Sequence, residues 1–549
     1  RLQSKVFESA LYSNENLLIC APTGAGKTNV AMLTIMHEIS KHAGPDGKIN
    51  RDSFKIVYVA PMKALAAEMV ANFSKRLSSL GIVVKEYTGD MQLSRKEVSE
   101  TQILVVTPEK WDVVTRKSGD ALVEMVKLLI VDEVHLLAED RGSVIESIIA
   151  RTLRQVEISQ SMVRIVGLSA TLPNYQDVAV FLRCNPHTGL FYFDATYRPV
   201  PLAQTFIGAS ERNAFRRVQQ MNDICYEKVR KSLNEGHQVL VFVHSRKDTI
   251  NTAKQLLEYA SASGETALFR PDVVPSWALR EMEKARNHEL RSLFSRGIGC
   301  HNAGLLRSDR NLSEKLFLEG HIRVLVSTAT LAWGVNLPAH TVVIKGTQLY
   351  NPEKGQFVDL GMLDVMQIFG RAGRPQFDTE GEAILITSHD KLDHYLAMVN
   401  RQTPIESQFI GALPDQLNAE IVLGTVTNVR EAIQWLSYTY LYIRMMKSPM
   451  AYGIPLQEKA RDRMLLERRQ KLIEGAAQEL DEARMLRFNK RTGTFSSTDL
   501  GRVAAHFYIQ HGTILDFTET LNNSMTDADI FHILCKSREF EKMQIRDEE

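Results

Sequence analysis

The feature that most constrains the fold of this chain is a glycine-containing loop close to its start. Residues 21–28 read Ala-Pro-Thr-Gly-Ala-Gly-Lys-Thr, after the apolar run Leu17–Cys20 and before a helix-compatible stretch at residues 29–39. Strand, glycine loop, lysine, hydroxyl and helix form a cradle for a nucleoside triphosphate, because loop N–H groups and the helix N-terminus face the phosphates. The alternative is a chance glycine turn before a helix. Ala21 replaces the usual first glycine, so the loop is a variant.

The residues of this loop have distinct expected contacts. Lys27 is expected to reach the β- and γ-phosphates, and the hydroxyl of Thr28 is expected to bind Mg²⁺. The sequence therefore predicts a nucleotide site that also holds Mg²⁺. The backbone amides expected to surround the phosphates are those of Thr23, Gly24, Ala25 and Gly26.

Composition excludes some classes of protein and leaves others open. The 549 residues suggest three or four domains, and 44% apolar residues allow sizeable cores. No apolar run is long enough for a transmembrane helix, and the first residues do not resemble a signal peptide. The five scattered cysteines favour a reducing, intracellular compartment over a zinc site or disulfides. A net charge of +1 neither supports nor excludes nucleic-acid binding.

Short, β-branched apolar runs alternate with helix-like stretches along most of the chain. This alternation predicts parallel α/β sheets, first before and then after a linker at residues 197–201. The second set of strands has no glycine loop of its own, and after residue 404 the sequence becomes helical. The predicted strands are residues 54–60, 103–107, 128–132, 164–168, 239–243, 324–327, 342–344 and 383–386.

Two carboxylates and an imidazole follow the apolar run at residues 128–132. Ligand groups of parallel sheets collect at the carboxyl ends of strands, so Asp132 is expected to hold Mg²⁺ and Glu133 to deprotonate the attacking water. His135 is a candidate for coupling this site to another element. The alternative is a solvated acidic turn. Ser169 and Thr171 also follow an apolar strand and are further coupling candidates, although such a tripeptide taken alone is more often an ordinary turn.

A second charged cluster lies in the later α/β region. Gln367 precedes two arginines, Arg371 and Arg374, three residues apart on one face of a helix. An arginine that reaches a γ-phosphate stabilises transition-state charge, and Gln367 is a candidate for orienting the water. The alternative is a solvated basic face.

Loops that follow several strands offer hydroxyls, backbone N–H groups or single cations. Phosphate oxygens accept hydrogen bonds from such groups without any reading of base sequence, so these loops are candidates for tracking a nucleic-acid backbone. Taken individually, each also fits a plain loop. The candidate residues are Pro61, Lys63, Thr88, Gly89, Thr107, Pro108, Ser245, Arg246 and Thr328.

In this order, the stretches resemble the motifs of superfamily 2 helicases, in the superkiller-like DExH branch. Residues 21–28, 132–135, 169–171, 328–338 and 367–374 match motifs I, II, III, V and VI. The resemblance implies ATP as the nucleotide, with Gln3 at the adenine and Gly334 among the cofactor contacts. It also implies movement 3′ to 5′ along one strand and unwinding of duplex, on RNA or DNA.

The resemblance further implies a domain order. Residues 1–197 and 198–404 would be two RecA-like domains, the second with a β-hairpin at residues 347–360 that splits duplex in relatives. Residues 405–496 would be a winged helix, and residues 497–549 the start of a helical ratchet bundle. A hairpin without any wedge role is the alternative at residues 347–360.

Within this branch, residues 107–118, 357–369, 404–409 and 495–501 resemble the first cassette of tandem-cassette helicases. The implied partners are single-stranded or duplex nucleic acid, a second cassette of the same polypeptide, and subunits of a cointegrator-type or ribosome-associated complex. The implied setting is the nucleus and cytoplasm, in DNA repair or ribosome quality control, without a membrane. Two rivals stay open: an ATP-driven remodeller of protein–nucleic-acid complexes, and an inactive scaffold cassette.

Overall fold

The structure, a computed structural model, describes residues 2–89, 93–117, 121–271, 273–328, 337–351, 356–375, 377–400, 404–522 and 524–540. These residues form two compact units, each with its own parallel sheet. The first unit holds residues 2–21, 26–197 and 404–540, and the second holds residues 22–25 and 198–400. Gln3 and the described residues after 404 therefore belong to the first unit.

The first unit is built on seven parallel strands in the order β3-β4-β2-β5-β6-β1-β7. The four strands predicted in this region are present, and their runs are buried because helices cover both faces of the sheet. The strands are β1 (Leu17–Cys20), β2 (Lys55–Val59), β3 (Val84–Tyr87), β4 (Ile103–Val106), β5 (Val126–Val131), β6 (Arg164–Ser169) and β7 (Leu190–Tyr192).

Helices connect these strands, as parallel pairing requires. The helix after the glycine loop is longer than its sequence pattern predicts and begins at the lysine itself, Lys27. Short 3₁₀ turns lie at Ser78–Leu80, Val134–Ala138 and Ala195–Tyr197. The helices are Leu2–Tyr12, Lys27–Lys41, Lys63–Leu77, Arg95–Glu100, Pro108–Thr115, Ala121–Glu124, Gly142–Ser159 and Tyr175–Phe181.

The second unit contains a parallel sheet of six strands in the order β10-β11-β9-β12-β15-β8. Two further strands, β13 (Gln348–Asn351) and β14 (Gln356–Asp359), pair antiparallel as a hairpin with Leu349 opposite Val358. The turn of this hairpin, residues 352–355, lies outside the described residues. The sheet strands are β8 (Leu202–Ala209), β9 (Val239–Val243), β10 (Ile298–His301), β11 (Val324–Thr328), β12 (Thr341–Lys345) and β15 (Gly381–Ser388).

Helices again flank the strands of the second unit. They enclose a single apolar core that includes Phe242, Phe294 and Phe369. A 3₁₀ turn lies at Thr266–Phe269. The helices are Ala214–Asn234, Arg246–Ala262, Ser276–Glu283, His288–Phe294, Arg307–Leu318, Met362–Phe369 and His389–Asn400.

The chain after residue 404 folds as a helical region with a small wing. An antiparallel pair of strands, β16 (Leu486–Asn489) and β17 (Thr494–Ser497), forms the wing. The core of this region surrounds the fully buried Trp435. The helices are Phe409–Val422, Val429–Leu436, Tyr440–Lys447, Leu456–Arg461, Leu466–Glu482, Asp499–Phe507, His511–Thr520 and Asp527–Cys535, with 3₁₀ turns at Pro449–Tyr452 and Arg538–Phe540.

Buried polar contacts attach this winged region to the helices of the first sheet. Arg151 donates to Asp112 Oδ1 and to Glu420 Oε1, both at 2.8 Å. Glu146 Oε2 accepts from the Ser407 hydroxyl at 2.7 Å. The winged region therefore forms one compact unit with the first sheet, and we call this set of contacts the joint.

Candidate functional site

The glycine loop forms the predicted turn between β1 and the helix Lys27–Lys41. Gly24 and Gly26 have φ angles of +82° and +99°, which L side chains rarely adopt. Lys27 folds back so that its Nζ donates to the Ala21 carbonyl at 2.9 Å. A hydrogen bond from the Ala21 amide to the Ser169 carbonyl, 3.1 Å, holds the start of the loop against the neighbouring strand β6.

Gln3 lies against this loop. Its Nε2 donates to the Gly26 carbonyl at 3.4 Å, and a Cβ at Gly26 would lie only 2.1 Å from that nitrogen. Any residue larger than glycine would therefore displace Gln3. A cleft of about 540 Å³ opens beside it, lined by Gln3, Ser4, Phe7, Asn29, Met32, Leu33 and Arg76.

Asp132 follows β5 and is partly buried. Its Oδ2 accepts from the Tyr58 hydroxyl at 2.6 Å, and its Oδ1 accepts from the Glu133 amide at 2.9 Å. Burial, together with the neighbouring Glu133 charge, raises the pKa of Asp132 to about 6. Among the described residues no cation forms an ion pair with this carboxylate, so a divalent cation would supply the missing charge. The donor set therefore fits Mg²⁺.

Glu133 occupies a backbone conformation that non-glycine residues seldom adopt. Its φ and ψ angles are 52° and 48°, and it precedes the 3₁₀ turn Val134–Ala138. Such strain persists where the surrounding structure fixes it, and it is frequent at functional sites. This backbone conformation ends the extended run of β5, and the Glu133 side chain is partly exposed.

His135 is buried, and its neutral form connects two motifs. Its Nδ1 accepts from the Ala170 amide at 3.2 Å, next to Ser169 and Thr171. The same Nδ1 lies 3.3 Å from Glu133 Oε2, which would be an ion pair only if the ring were protonated. Burial, with Lys27 nearby, lowers the pKa of His135 to about 3. The ring is therefore neutral and accepts the amide proton, and the contact with Glu133 is not a salt bridge.

Ser169 and Thr171 flank that amide at the end of β6. The Ser169 side chain is fully buried, whereas that of Thr171 is half-buried. In the first unit, parallel pairing thus brings several predicted residues together at the carboxyl ends of the strands, which we call the strand-end edge. These residues are Lys27, Thr28, Asp132, Glu133, His135, Ser169 and Thr171.

The predicted arginine cluster lies in the second unit. The helix Met362–Phe369 carries Gln367 but ends before Arg371 and Arg374, so the prediction that the two arginines share one face of a helix start is wrong. Arg374 donates from Nε and from a terminal nitrogen to the two oxygens of Asp378, each at 2.9 Å, and from Nη1 to Gln238 Oε1 at 3.0 Å. All three guanidinium nitrogens of Arg374 thus donate hydrogen bonds. The Arg371 carbonyl accepts from the Ala339 amide at 3.0 Å.

Predicted nucleic-acid contacts in the first unit follow the adjacent strands β3, β4 and β2. Pro61 and Lys63 follow β2, and a Cβ on Gly89 would lie 3.8 Å from Lys63 Nζ. Thr88 is buried and its hydroxyl donates to Glu86 Oε1 at 2.8 Å, so this loop offers its backbone rather than that hydroxyl.

Thr107 and Pro108 begin the helix Pro108–Thr115 after β4, and both are buried. In the second unit, Ser245 caps the helix Arg246–Ala262 by accepting from the Asp248 amide at 3.1 Å. Thr328 ends β11. Gly334, the remaining predicted cofactor contact, lies outside the described residues.

Sequence patterns did not single out Tyr58, Glu109 or Arg141. The apolar run predicts Tyr58 only as part of a buried strand, although a phenol in such a run one strand away from the carboxylates is a usable signal. Arg141 Nε donates to Glu109 Oε1 at 2.6 Å, a contact between residues 32 apart that no local pattern indicates.

Within the described part of the chain, no helix is both long and apolar enough to cross a bilayer. The same residues contain no cluster of three or more histidine, cysteine, aspartate or glutamate side chains suited to a metal. A Mg²⁺ ion would therefore depend on Asp132, Thr28 and the nucleotide's own phosphates, which is how Mg²⁺ is bound in nucleotide sites.

Four family models match the chain in succession. They are a DEAD/DEAH box helicase domain over residues 1–178, a helicase conserved C-terminal domain over residues 219–376, a winged helix-turn-helix domain over residues 406–490 and a Sec63 Brl domain over residues 497–549. The predicted fold class, two RecA-like domains followed by a winged helix and a helical region, is confirmed.

Relatives match the chain over its whole length. It is 62% identical to activating signal cointegrator 1 complex subunit 3 of Mus musculus, 59% identical to that of Homo sapiens and 57% identical to the DExH-box ATP-dependent RNA helicase DExH14 of Arabidopsis thaliana. The alignments cover 100% of this chain but only 25%, 25% and 26% of the relatives, so the chain spans about a quarter of their length. By this similarity and by its order of domains, the chain belongs to the superfamily 2 DExH helicases.

Proposed function

We propose that the chain is an ATP-driven nucleic-acid helicase cassette that moves 3′ to 5′ along one strand and unwinds duplex. The observation that carries this proposal is the arrangement of residues at the strand-end edge of the first unit. There the lysine of the glycine loop, a partly buried carboxylate that has no ion-pair partner among the described residues, and a partly exposed glutamate follow the strands of a single parallel sheet. Adjacent strand ends of this kind suit phosphate and metal binding.

In the proposed site each residue of the first unit has one task. Lys27 leaves the Ala21 carbonyl for the β- and γ-phosphates, while Thr28 and Asp132 hold Mg²⁺, which neutralises phosphate charge when bound. Glu133 accepts the proton of the attacking water. Gln3 reads the base, and the backbone amides of residues 23–26 surround the phosphates.

The second unit is proposed to contribute Gln367, Arg371 and Arg374 to the reaction, with Gly334 near the nucleotide. Arg374 can act on a phosphate only by exchanging one of its present partners, Asp378 or Gln238. Because a finger arginine acts on the transition state, we expect Arg374→Ala to lower kcat by about 10³-fold or more with little change in nucleotide affinity. Equal loss of kcat and of nucleotide affinity would contradict this role.

Nucleic acid is proposed to bind through phosphate contacts at the strand-end loops and at the end of β11. Most of these groups are backbone amides, hydroxyls or single cations, so binding should tolerate any base sequence and weaken with salt. The contributing residues are Pro61, Lys63, Thr88, Gly89, Thr107, Pro108, Ser245, Arg246 and Thr328.

An unwinding assay tests the proposal directly. Matched duplexes with a 3′ or a 5′ overhang, in RNA and in DNA, are given to the chain with ATP, and strand release is compared with ATP turnover. Release from 3′ overhangs alone supports the direction. ATP turnover without release would favour a remodeller, and neither activity would favour a scaffold cassette.

The β13–β14 hairpin is proposed to split the duplex. Phe357 on β14 is largely exposed, and Lys391 holds the hairpin base by donating to Asp359 at 2.6 Å. Replacing residues 348–359 by a short glycine linker is expected to abolish strand release while strand-stimulated ATP turnover continues. Undiminished release would assign the hairpin a structural role only.

The length of the relatives supports a wider setting. They are about four times as long as this chain, which fits a second cassette in the same polypeptide. The relatives of Mus musculus and Homo sapiens are subunits of the activating signal cointegrator 1 complex, and we propose an equivalent complex, nuclear and cytoplasmic, for this chain. Co-purification of such subunits with the tagged full-length protein tests this.

A further inference from the structure

The side chain of Arg141 connects three segments that follow strands of the first sheet. Arg141 donates from Nε to Glu109 Oε1 at 2.6 Å and from Nη1 to the Pro61 carbonyl at 2.9 Å. Its other terminal nitrogen also lies 2.6 Å from Glu109 Oε1. The flat, forked guanidinium suits this double attachment, which a lysine ammonium matches poorly.

The three attached segments follow adjacent strands in the order β4-β2-β5. Pro61 begins the loop after β2, and Glu109 lies in the first turn of the helix after β4. Arg141 ends the segment that begins with Asp132 and Glu133 after β5. The contact therefore joins the carboxylate segment to both of the neighbouring loops that are proposed to hold nucleic acid.

The backbone beside Arg141 leaves little freedom. A Cβ at Gly142 would lie 2.3 Å from the Leu137 carbonyl oxygen, and the Gly142 amide donates to the Glu139 carbonyl at 2.8 Å. The segment from the 3₁₀ turn to the helix Gly142–Ser159 is thus tightly folded. Movement of the Arg141 side chain would be transmitted along it rather than absorbed.

Stability alone does not explain this contact. The side chains of Arg141 and Glu109 are 42% and 35% exposed, and ion pairs in such positions contribute little to folding. What the contact does supply is a fixed spacing between the two loops and the carboxylate segment. Geometry, rather than folding free energy, is the property that depends on it.

We infer that Arg141 is a positioning residue that couples nucleic-acid binding at the Pro61 and Glu109 segments to the arrangement of Glu133. This inference rests on the proposed function. A strand that moves either loop pulls on the guanidinium, and the carboxylate segment follows. A nucleotide that moves the carboxylate segment acts on the loops in the reverse sense, because coupling between two binding sites is reciprocal.

The test measures this coupling as a ratio of affinities. Binding of a labelled single-stranded polyuridine is measured with and without ADP–beryllium fluoride, and binding of the nucleotide analogue with and without polyuridine. If the wild-type ratio lies in the range of about 5- to 150-fold usual for coupled sites, Arg141→Gln is expected to bring both ratios close to one. Arg141→Lys retains the charge without the fork and is expected to give an intermediate ratio.

Two further variants sharpen the result. Glu109→Gln is expected to lower the ratio as well, and the double variant with Arg141→Gln is expected to add no further loss, because both changes break one contact. Arg461→Gln is the matched control, since Arg461 pairs with Glu467 on an exposed surface. The control is expected to keep the wild-type ratio.

An unchanged ratio in a folded Arg141→Gln protein, judged by its thermal unfolding, overturns the inference. If that variant does not fold, Arg141→Lys and Glu109→Gln decide the matter by the same ratio. A wild-type protein that binds no polyuridine, or shows a ratio of one, contradicts the proposed function itself. The two failures are therefore distinguishable.

Discussion

Two regions of the first unit handle buried polar groups in opposite ways. At the joint with the winged region, charged side chains are buried and paired: Arg151 lies between Asp112 and Glu420, and all three are less than 10% exposed. At the strand-end edge, Asp132 is only partly buried and has no ion-pair partner among the described residues. The joint is complete in itself, whereas the edge is completed only by what it binds.

The pKa values reflect the same difference. Burial alone would raise the pKa of Asp112, but Arg116 and Arg151 beside it hold the pKa below its ordinary value. Burial and the neighbouring Glu133 charge raise the pKa of Asp132 to about 6, because the hydrogen bond from Tyr58 and the charge of Lys27 offset the rise only in part. The joint therefore has the character of a stabilising contact and the strand-end edge that of a binding site, since unsatisfied or strained groups cost stability and persist where a ligand uses them.

The largest expected effect breaks the edge without touching the joint. Lys27→Ala removes the ammonium that the phosphates need, and we expect ATP turnover to fall by at least about 10²- to 10³-fold. The unfolding temperature should stay close to that of the wild type, because the hydrogen bond described for the Lys27 ammonium goes to a loop carbonyl, that of Ala21. Steady-state ATPase assays and thermal unfolding check both statements. Near-normal turnover would contradict the phosphate-loop assignment.

A second change at the edge separates binding from chemistry. Glu133→Gln retains the shape of the side chain but removes the base, so hydrolysis is expected to slow by about 10²- to 10⁴-fold while ATP still binds. Nucleotide trapping measured beside single-turnover hydrolysis distinguishes the two steps. Loss of ATP binding in this variant would show that Glu133 is structural or that the metal assignment is wrong.

At the joint we expect the reverse pattern. Arg151→Met leaves Glu420 and Asp112 without their shared cation, and we expect the free energy of unfolding to fall by about 3–5 kcal/mol. Denaturant unfolding measures this, with Arg461→Gln as an exposed control expected to change stability by less than about 1 kcal/mol. A loss at Arg151 no larger than the control would remove the contrast between the two regions.

The smallest expected effect concerns pH at the joint. Burial raises the pKa of Glu146 to about 8 from an ordinary value of 4.5, although it accepts from Ser407 and the Leu441 amide. The Glu146 carboxyl therefore binds its proton more tightly in the folded than in the unfolded protein. The resulting contribution of Glu146 to the free energy of unfolding is full below about pH 4.5 and is lost as pH rises towards 8. The slope for one such group is at most about 1.4 kcal/mol per pH unit.

Glu146→Gln removes this titration. We expect the free energy of unfolding of the variant to decline less than that of the wild type between pH 5 and pH 8 (about the interval set by the two pKa values). Denaturant unfolding at several pH values gives the two slopes, and Glu467→Gln, an exposed change, provides the control. Parallel curves for variant and wild type would show that Glu146 does not titrate in this range.

The strands that sequence patterns predicted are the ones buried within the sheets. Apolar runs such as those of β2, β5 and β9 are covered on both faces and read clearly. The sequence patterns did not predict β3, β7 and β8. All three are outermost strands of their sheets, and each is either short or alternates apolar with polar residues. β10 was missed as well; it is an edge strand of only four residues.

The residues of the candidate site likewise fall into those that local sequence patterns predict and those that they do not. Lys27, Asp132, Glu133 and the arginines after Gln367 were predictable because each belongs to a contiguous motif whose spacing carries the chemistry. Tyr58 beside Asp132 lies 74 residues away from it along the chain, and the Arg151–Glu420 contact spans 269 residues. No local spacing encodes such pairs.

The sequence by itself determined the parallel α/β architecture, the phosphate loop and the carboxylates that follow β5, because hydrophobic periodicity and short motifs are local properties. Only the tertiary structure decided that His135 is a neutral acceptor, that Arg374 is held by Asp378 and that Arg141 joins two loops. Protonation and pairing depend on burial and on which distant groups the fold brings within hydrogen-bond distance, and those follow from the packing of the whole unit.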